Sequence, residues 1–135
     1  MKVMAIDYGD AKTGLAVSDR SGTLVGDAWV IHTRKTDVLL EKIATEVKER
    51  QVEQIVLGYP KNMDGSLGPR AEKTQDFKSQ LETVLDIPIG LWDERRTSVA
   101  ADQILITLGK KGKKKQGLQD AVAASLILEG FLQSL

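Results

Sequence analysis

The 135-residue sequence predicts an α/β fold, a five-stranded mixed sheet with three leading antiparallel strands and helices on both faces. Two patterns and one bound predict it. Short apolar runs crowd the first quarter of the chain with only turn-sized gaps between them, as in an antiparallel meander. Beyond position 36, apolar runs of strand length alternate with segments whose apolar residues recur at helical spacing. A chain of this length with 41% apolar residues supplies one continuous core, so 1–135 is read as a single domain.

The first strand is read at 3–6, a run that meets Asp7 and Gly9 at once. The second covers 14–18 after a glycine-bounded turn, and the third 28–32, with Trp29, Val30 and Ile31. Leu40, Ile43, Ala44 and Val47 then define a helix of about 13 residues, with Thr36 or Asp37 available to cap it. Ile55, Val56, Leu57 and Gly58 form a short buried strand, followed by turn formers over 60–69. Phe77, Leu81, Val84 and Leu85 mark a second helix, which must stop before Ile87 and Pro88. A fifth strand spans 87–92. Ala101, Ile104, Leu105 and Leu108 repeat the helical spacing behind Thr97 or Ser98, a lysine loop fills 109–117, and a last helix covers about 119–135. Its expected buried stripe is Ala123, Ala124, Ile127, Leu128 and Phe131.

Composition narrows the functional classes. Nineteen basic and nineteen acidic side chains give a net charge of zero, which argues against wholesale nucleic-acid coating but permits a local basic surface beside an acidic pocket. Cysteine is absent, so neither disulfides nor thiolate metal sites are expected. The opening apolar run is too short for a signal peptide, and no window approaches the ~20 apolar residues that cross a bilayer. The expectation is a cytoplasmic protein without membrane contact.

At three places carboxylates sit where a core-building pattern does not want them. Asp7 ends an apolar strand, where an ionised group is costly unless compensated. A turn aspartate bonding the amides ahead of Gly9 is common, and Asp7 taken alone favours that reading. Asp93 and Glu94 end the run Ile89-Gly90-Leu91-Trp92, at the carboxyl tips where open α/β sheets place their chemistry. Surface pairing with Arg95 and Arg96 is the plainer account, but exposed pairs of that kind are worth little. Asp120 heads the inward stripe of the last helix, ahead of small residues that allow close approach to a sheet, although acids in a first turn also serve the helix dipole. Converging acids need cations. With oxygen ligands alone, these point to Mg²⁺ or Mn²⁺, a pair of which supports phosphodiester hydrolysis.

At these residues the sequence resembles the YqgF/RuvX-type family, described as Holliday junction resolvases and as nucleases that mature the small-subunit ribosomal RNA precursor. Asp7-Tyr8-Gly9 with Lys12, Gly14 and Ala16-Val17-Ser18-Asp19 is similar to the family's opening block. Gly58-Tyr59-Pro60-Lys61-Asn62-Met63-Asp64-Gly65-Ser66 is similar to its central block, the most specific of the set. Asp93-Glu94-Arg95 with Thr97-Ser98, and Asp120-Ala121 with Ala123-Ala124 and Leu128-Glu129, are similar to the last two. The resemblance implies a ribonuclease H-like fold with Asp7, Glu94 and Asp120 as the catalytic, metal-binding acids. Asp10, where relatives often carry a small residue, and Arg96, in place of an apolar one, depart from the pattern.

Further residues suit a nucleic-acid partner, either ribosomal RNA precursor or branched DNA, bound by a monomer or a homodimer. Lys12 stands beside the opening block. The amides around Asn62 can face a phosphate, and Arg95 can grip one bidentately, with Asp93 as its competing partner. Lys110, Lys111, Lys113, Lys114 and Lys115 can clamp backbone phosphates ahead of Asp120, although most such runs are simply solvated. His32 is read as structural or exposed, and Trp29 and Trp92 as core. The rival readings are an actin-like or sugar-kinase-like ATP binder, which needs two lobes, and a non-catalytic nucleic-acid-binding module. A Rossmann dinucleotide binder is disfavoured because Gly-x-Gly-x-x-Gly is missing.

Overall fold

The fold is that of a computed structural model, which describes residues 1–59, 68–93 and 115–135, the side chains of 115–120 excepted. Its strands are β1 (Val3–Asp7), β2 (Lys12–Ser18), β3 (Val25–His32), β4 (Gln54–Tyr59) and β5 (Ile89–Asp93). Among the described residues three helices accompany them: α1 (Thr36–Arg50), α2 (Pro69–Val84) and α3 (Lys115–Gln133). The strands lie in the order β3-β2-β1-β4-β5. The first three form the expected antiparallel meander, with Asp7 opposite Gly14 and a register shift between Val17 and Ser18. β4 joins β1 in parallel and β5 joins β4 in parallel. One consequence governs the rest: β1, β4 and β5 all end at the same edge of the sheet.

Strand alternation divides the core between two faces. Met4, Ile6, Leu15, Val17, Ile55 and Leu57 face α1 and α2, where Leu39, Ile43, Val47, Phe77 and Leu81 complete one cluster. Val3, Ala5, Ala16 and Val56 face α3 and meet Ala124, Ile127 and Leu128. Each fully buried Leu, Ile or Phe contributes about 1.5–3 kcal/mol relative to exposure. On the α3 face Ala5, Ala16 and Ala124 are among the buried residues, and their small side chains let the helix backbone come close to the sheet. β1 is covered on both sides, which is why its residues Val3 to Ile6 are uninterruptedly apolar.

Several boundaries differ from the sequence reading. β2 and β3 begin earlier than expected, at Lys12 and Val25, because cross-strand pairing recruits polar residues that carry no apolar signal. α1 has no side-chain cap. Lys35 occupies the N-cap, Thr36 lies inside the helix, and Leu39 replaces Leu40 on the fully buried stripe. In α2 the buried residues are Ala71, Thr74, Phe77 and Leu81, while Val84 is exposed and Leu85 lies just past the helix end. Ile87 and Pro88 precede β5 rather than open it. Residue Lys115, read as part of the lysine loop, is the first residue of α3, and Ala123 is only partly buried. The helix expected around Ala101, Ile104, Leu105 and Leu108 lies outside the described residues. Among the described residues, no helix is long and apolar enough to cross a membrane.

Candidate active site at the carboxyl edge of the sheet

Asp7 is the final residue of β1 and is partly buried. Alternation places it on the side of Val3 and Ala5, the face covered by α3. Its neighbour Tyr8 turns the other way and stacks on Phe77 of α2, with ring centroids 4.1 Å apart and planes 7° from parallel. The Tyr8 carbonyl accepts a hydrogen bond from Nη2 of Arg70, at 3.1 Å. Chain reversal into β2 then depends on Gly9. A Cβ at that position would lie 2.2 Å from the Lys12 carbonyl oxygen. The Gly9 amide donates to the buried Thr13 hydroxyl at 3.4 Å, and that hydroxyl can donate back to the Gly9 carbonyl at the same distance. Gly9→Ala is expected to destabilise the protein by about 1–3 kcal/mol, since the backbone on one side of the clash must shift. A urea midpoint equal to wild type would show that the turn relaxes freely.

The two parallel neighbours finish at the same edge. β4 ends in Tyr59, whose buried ring carries a hydroxyl that accepts from Nε2 of Gln75 at 2.6 Å. β5 ends in the partly buried Asp93. Adjacent strands are about 4.8 Å apart, so the tips of β1 and β5 stand roughly 10 Å from each other. Gly58 pairs with Trp92 and Val56 with Gly90, which puts Trp92 on the α3 face. There it meets Phe131 edge-on at 6.1 Å and fits over Gly130, where an added Cβ would approach the indole to 3.1 Å. Trp92 is thus a packing residue, as expected. Trp29 is also partly buried against the core, with the Arg50 guanidinium 4.0 Å above its ring. His32 is exposed.

Of the residues singled out in the sequence, Asp7, Lys12 and Asp93 are placed at this edge. Lys12 opens β2 opposite His32 and is partly buried. Glu94, which follows β5 directly, lies outside the described residues, as do Asn62, Arg95, Lys110, Lys111, Lys113 and Lys114. Asp120 and Lys115 belong to the α3 backbone without described side chains. Among the described residues, no three His, Cys, Asp or Glu side chains gather as a metal site. Asp10 is exposed and forms an ion pair with Lys73 at 3.5 Å, a solvated contact worth little.

The course of α3 bears on position 120. Its C-terminal residues Glu129, Leu132 and Gln133 line a pocket with Thr23, Leu24 and Val25, next to the start of β3. Val25 pairs with Ser18, whose hydroxyl accepts from the Val3 amide at 2.9 Å. Glu129, Leu132 and Gln133 therefore lie near the end of the sheet where β1 begins, the end opposite Asp7. Sequence reasoning missed Arg70, Phe77 and Gln75 as supports of this edge. A polar helix face gives no local sign of which strand tip it will meet.

The chain is 46% identical to a protein of Halothermothrix orenii named "Putative pre-16S rRNA nuclease", over 98% of this chain and 94% of the relative. A Bacillus subtilis protein of the same name is 39% identical, over 100% and 99%. Among solved structures, Thermus thermophilus RuvC in complex with a Holliday junction matches with a TM-score of 0.62 at 14% identity, over 94% of this chain and 91% of that one. The fowlpox virus resolvase in complex with Holliday junction DNA matches with a TM-score of 0.62 at 13% identity, over 99% and 98%. At such low identity these structures speak for the fold, which is ribonuclease H-like. A family described as "RuvX: Holliday junction resolvase" matches residues 1–134. By that match, and by its full-length relatives, the chain belongs to the RuvX family.

Proposed function

We propose that residues 1–135 form one nuclease domain that hydrolyses phosphodiester bonds of structured nucleic acid with the help of Mg²⁺ or Mn²⁺. The carrying observation is Asp7, a carboxylate at the carboxyl edge of the parallel strands, on the face that α3 covers. Two further considerations support convergence on it. Glu94 follows directly in sequence on Asp93, the last residue of β5, whose strand ends at the same edge as Asp7. Helical spacing sets position 120 on the stripe of Ala124 and Ile127, and α3 runs away from the Asp7 edge toward its own C-terminus.

The donor set fits a hard cation, since Asp7, Glu94 and Asp120 offer only carboxylate oxygens and the chain has no cysteine. Bound there, such ions lower the pKa of a water nucleophile and stabilise the departing oxygen. The protein's own part is to hold the three acids in register and to seat the substrate backbone. Lys12 and Arg95 contact phosphates close to the cut, amides around Asn62 cradle another, and Lys110, Lys111, Lys113, Lys114 and Lys115 bind the flanking strand. The names of the relatives direct the choice of substrate to pre-16S ribosomal RNA, and the family description adds branched DNA. The proposed place of action is the cytoplasm.

The test incubates wild type and Asp7→Asn with labelled ribosomal RNA precursor and with a four-way DNA junction, in Mg²⁺, in Mn²⁺ and in chelator. Cleavage by wild type alone, and only with metal, is the expected result. Equal cleavage by both proteins would remove Asp7 from the chemistry, and binding without cleavage by wild type would indicate a non-catalytic module. Replacing the five lysines by Ser is expected to weaken binding and flatten its salt dependence, by about 0.9 in log–log slope for each phosphate that is no longer neutralised. An unaltered slope would assign those lysines to solvent.

A further inference from the structure

We infer that Arg70 is a positioning residue for the metal-binding edge, acting through the backbone that carries Asp7. This rests on the reading of Asp7 as a metal ligand. The residue after Asp7 is fixed twice by α2. Phe77, 1% exposed, holds the Tyr8 ring in a parallel stack, and Arg70 holds the Tyr8 carbonyl at 3.1 Å. These two contacts act on opposite ends of one residue. The stack fixes the side chain of Tyr8, and the guanidinium fixes the peptide plane that follows it. Together they set the direction in which the chain leaves β1, and add to the Gly14 pairing in holding the orientation of the Asp7 Cα–Cβ bond.

The firm bond of the turn lies on its far side, where the Ala11 carbonyl accepts from the Thr33 amide at 3.0 Å, so the side next to Asp7 draws on an outside anchor. Gly9 lends no side chain, and its bonds with Thr13 are long, at 3.4 Å. Asp10 is exposed and reaches only Lys73, at 3.5 Å. Arg70 sits on the first turn of α2, a helix whose other end is pinned in the core by Leu81. It therefore ties the weakly bonded Asp7 side of the turn to a rigid element. Arg70 is itself exposed, and an exposed Arg that merely paired with solvent or a surface acid would leave no mark on metal binding. Groups that orient a metal ligand from outside the coordination shell typically account for a 10–100-fold effect on affinity.

Three variants of the whole chain, Arg70→Ala, Arg70→Lys and Asp7→Asn, are compared with wild type by titration with Mn²⁺ in the absence of nucleic acid. Amide exchange of 8–11 and the salt dependence of junction-DNA binding in chelator are measured alongside. The expected result is Mn²⁺ binding about 10-fold weaker in Arg70→Ala, partial recovery in Arg70→Lys, and faster exchange confined to the turn. The salt slope should not change. Wild-type Mn²⁺ affinity in Arg70→Ala, with Asp7→Asn deficient, would overturn the inference and leave the metal reading standing. So would a salt slope reduced by about 0.9 with Mn²⁺ affinity intact, which would make Arg70 a phosphate contact. If Asp7→Asn bound Mn²⁺ like wild type, the metal reading would fall first and this inference with it.

Discussion

Asp7→Asn is expected to slow metal-supported cleavage by about 10²–10³-fold while leaving the protein folded, a loss of roughly 3–4 kcal/mol of transition-state stabilisation. The substitution is nearly isosteric, so the backbone pairing of Asp7 with Gly14 survives it. What disappears is a negative charge and one hard oxygen. An amide still occupies the strand tip, but it draws a divalent ion far less strongly than a carboxylate does. The defect should therefore lie in the metal requirement and in kcat rather than in affinity for nucleic acid. Nucleic-acid affinity measured in chelator checks this split. A large loss of binding there would mean that Asp7 shapes the substrate surface instead of the chemistry.

Phe77→Ala should have the largest effect on stability, a loss of about 3–5 kcal/mol in urea unfolding. Phe77 is one of the largest fully buried side chains and lies where α2, β1 and the Tyr8 ring meet. Truncation removes its burial, leaves a cavity that rigid neighbours fill only in part, and strips Tyr8 of its stacking partner. Phe77→Leu retains most of the volume and should recover much of the stability without restoring the stack. Comparing the two variants separates packing from the support that the ring lends to the turn after Asp7. A loss below about 1 kcal/mol for the alanine variant would mean that α2 repacks, and would weaken the view of it as a fixed brace.

Much of this architecture was legible in the residues. The meander announced itself because β1 and β2 are apolar runs with little between them but a glycine-bounded turn, and Gly9 indeed permits the close approach to Lys12. The alternation of periods after position 36 located α1, β4, α2 and β5. Boundaries were less legible. Lys12, Val25 and Gln54 join strands through backbone pairing, which leaves no trace in hydropathy. Leu39 and Leu40 are adjacent leucines, and only the angle at which α1 meets the sheet decides between them. For the site, Asp7 stood out as a charge at the end of a buried strand. Arg70 did not, because its role is a bond to a carbonyl 62 positions earlier, and one exposed arginine on a polar helix reads like any other.

The strand order has a last implication. β1 is the middle rung of the ladder, and neither of its sides faces solvent. Disturbances that begin at the margins, in β3 or β5, must unzip an intervening neighbour before they reach it. The acid at its tip is thus mounted on the segment that loosens last. On the proposed function, fraying of the outer strands would leave the support of that acid undisturbed.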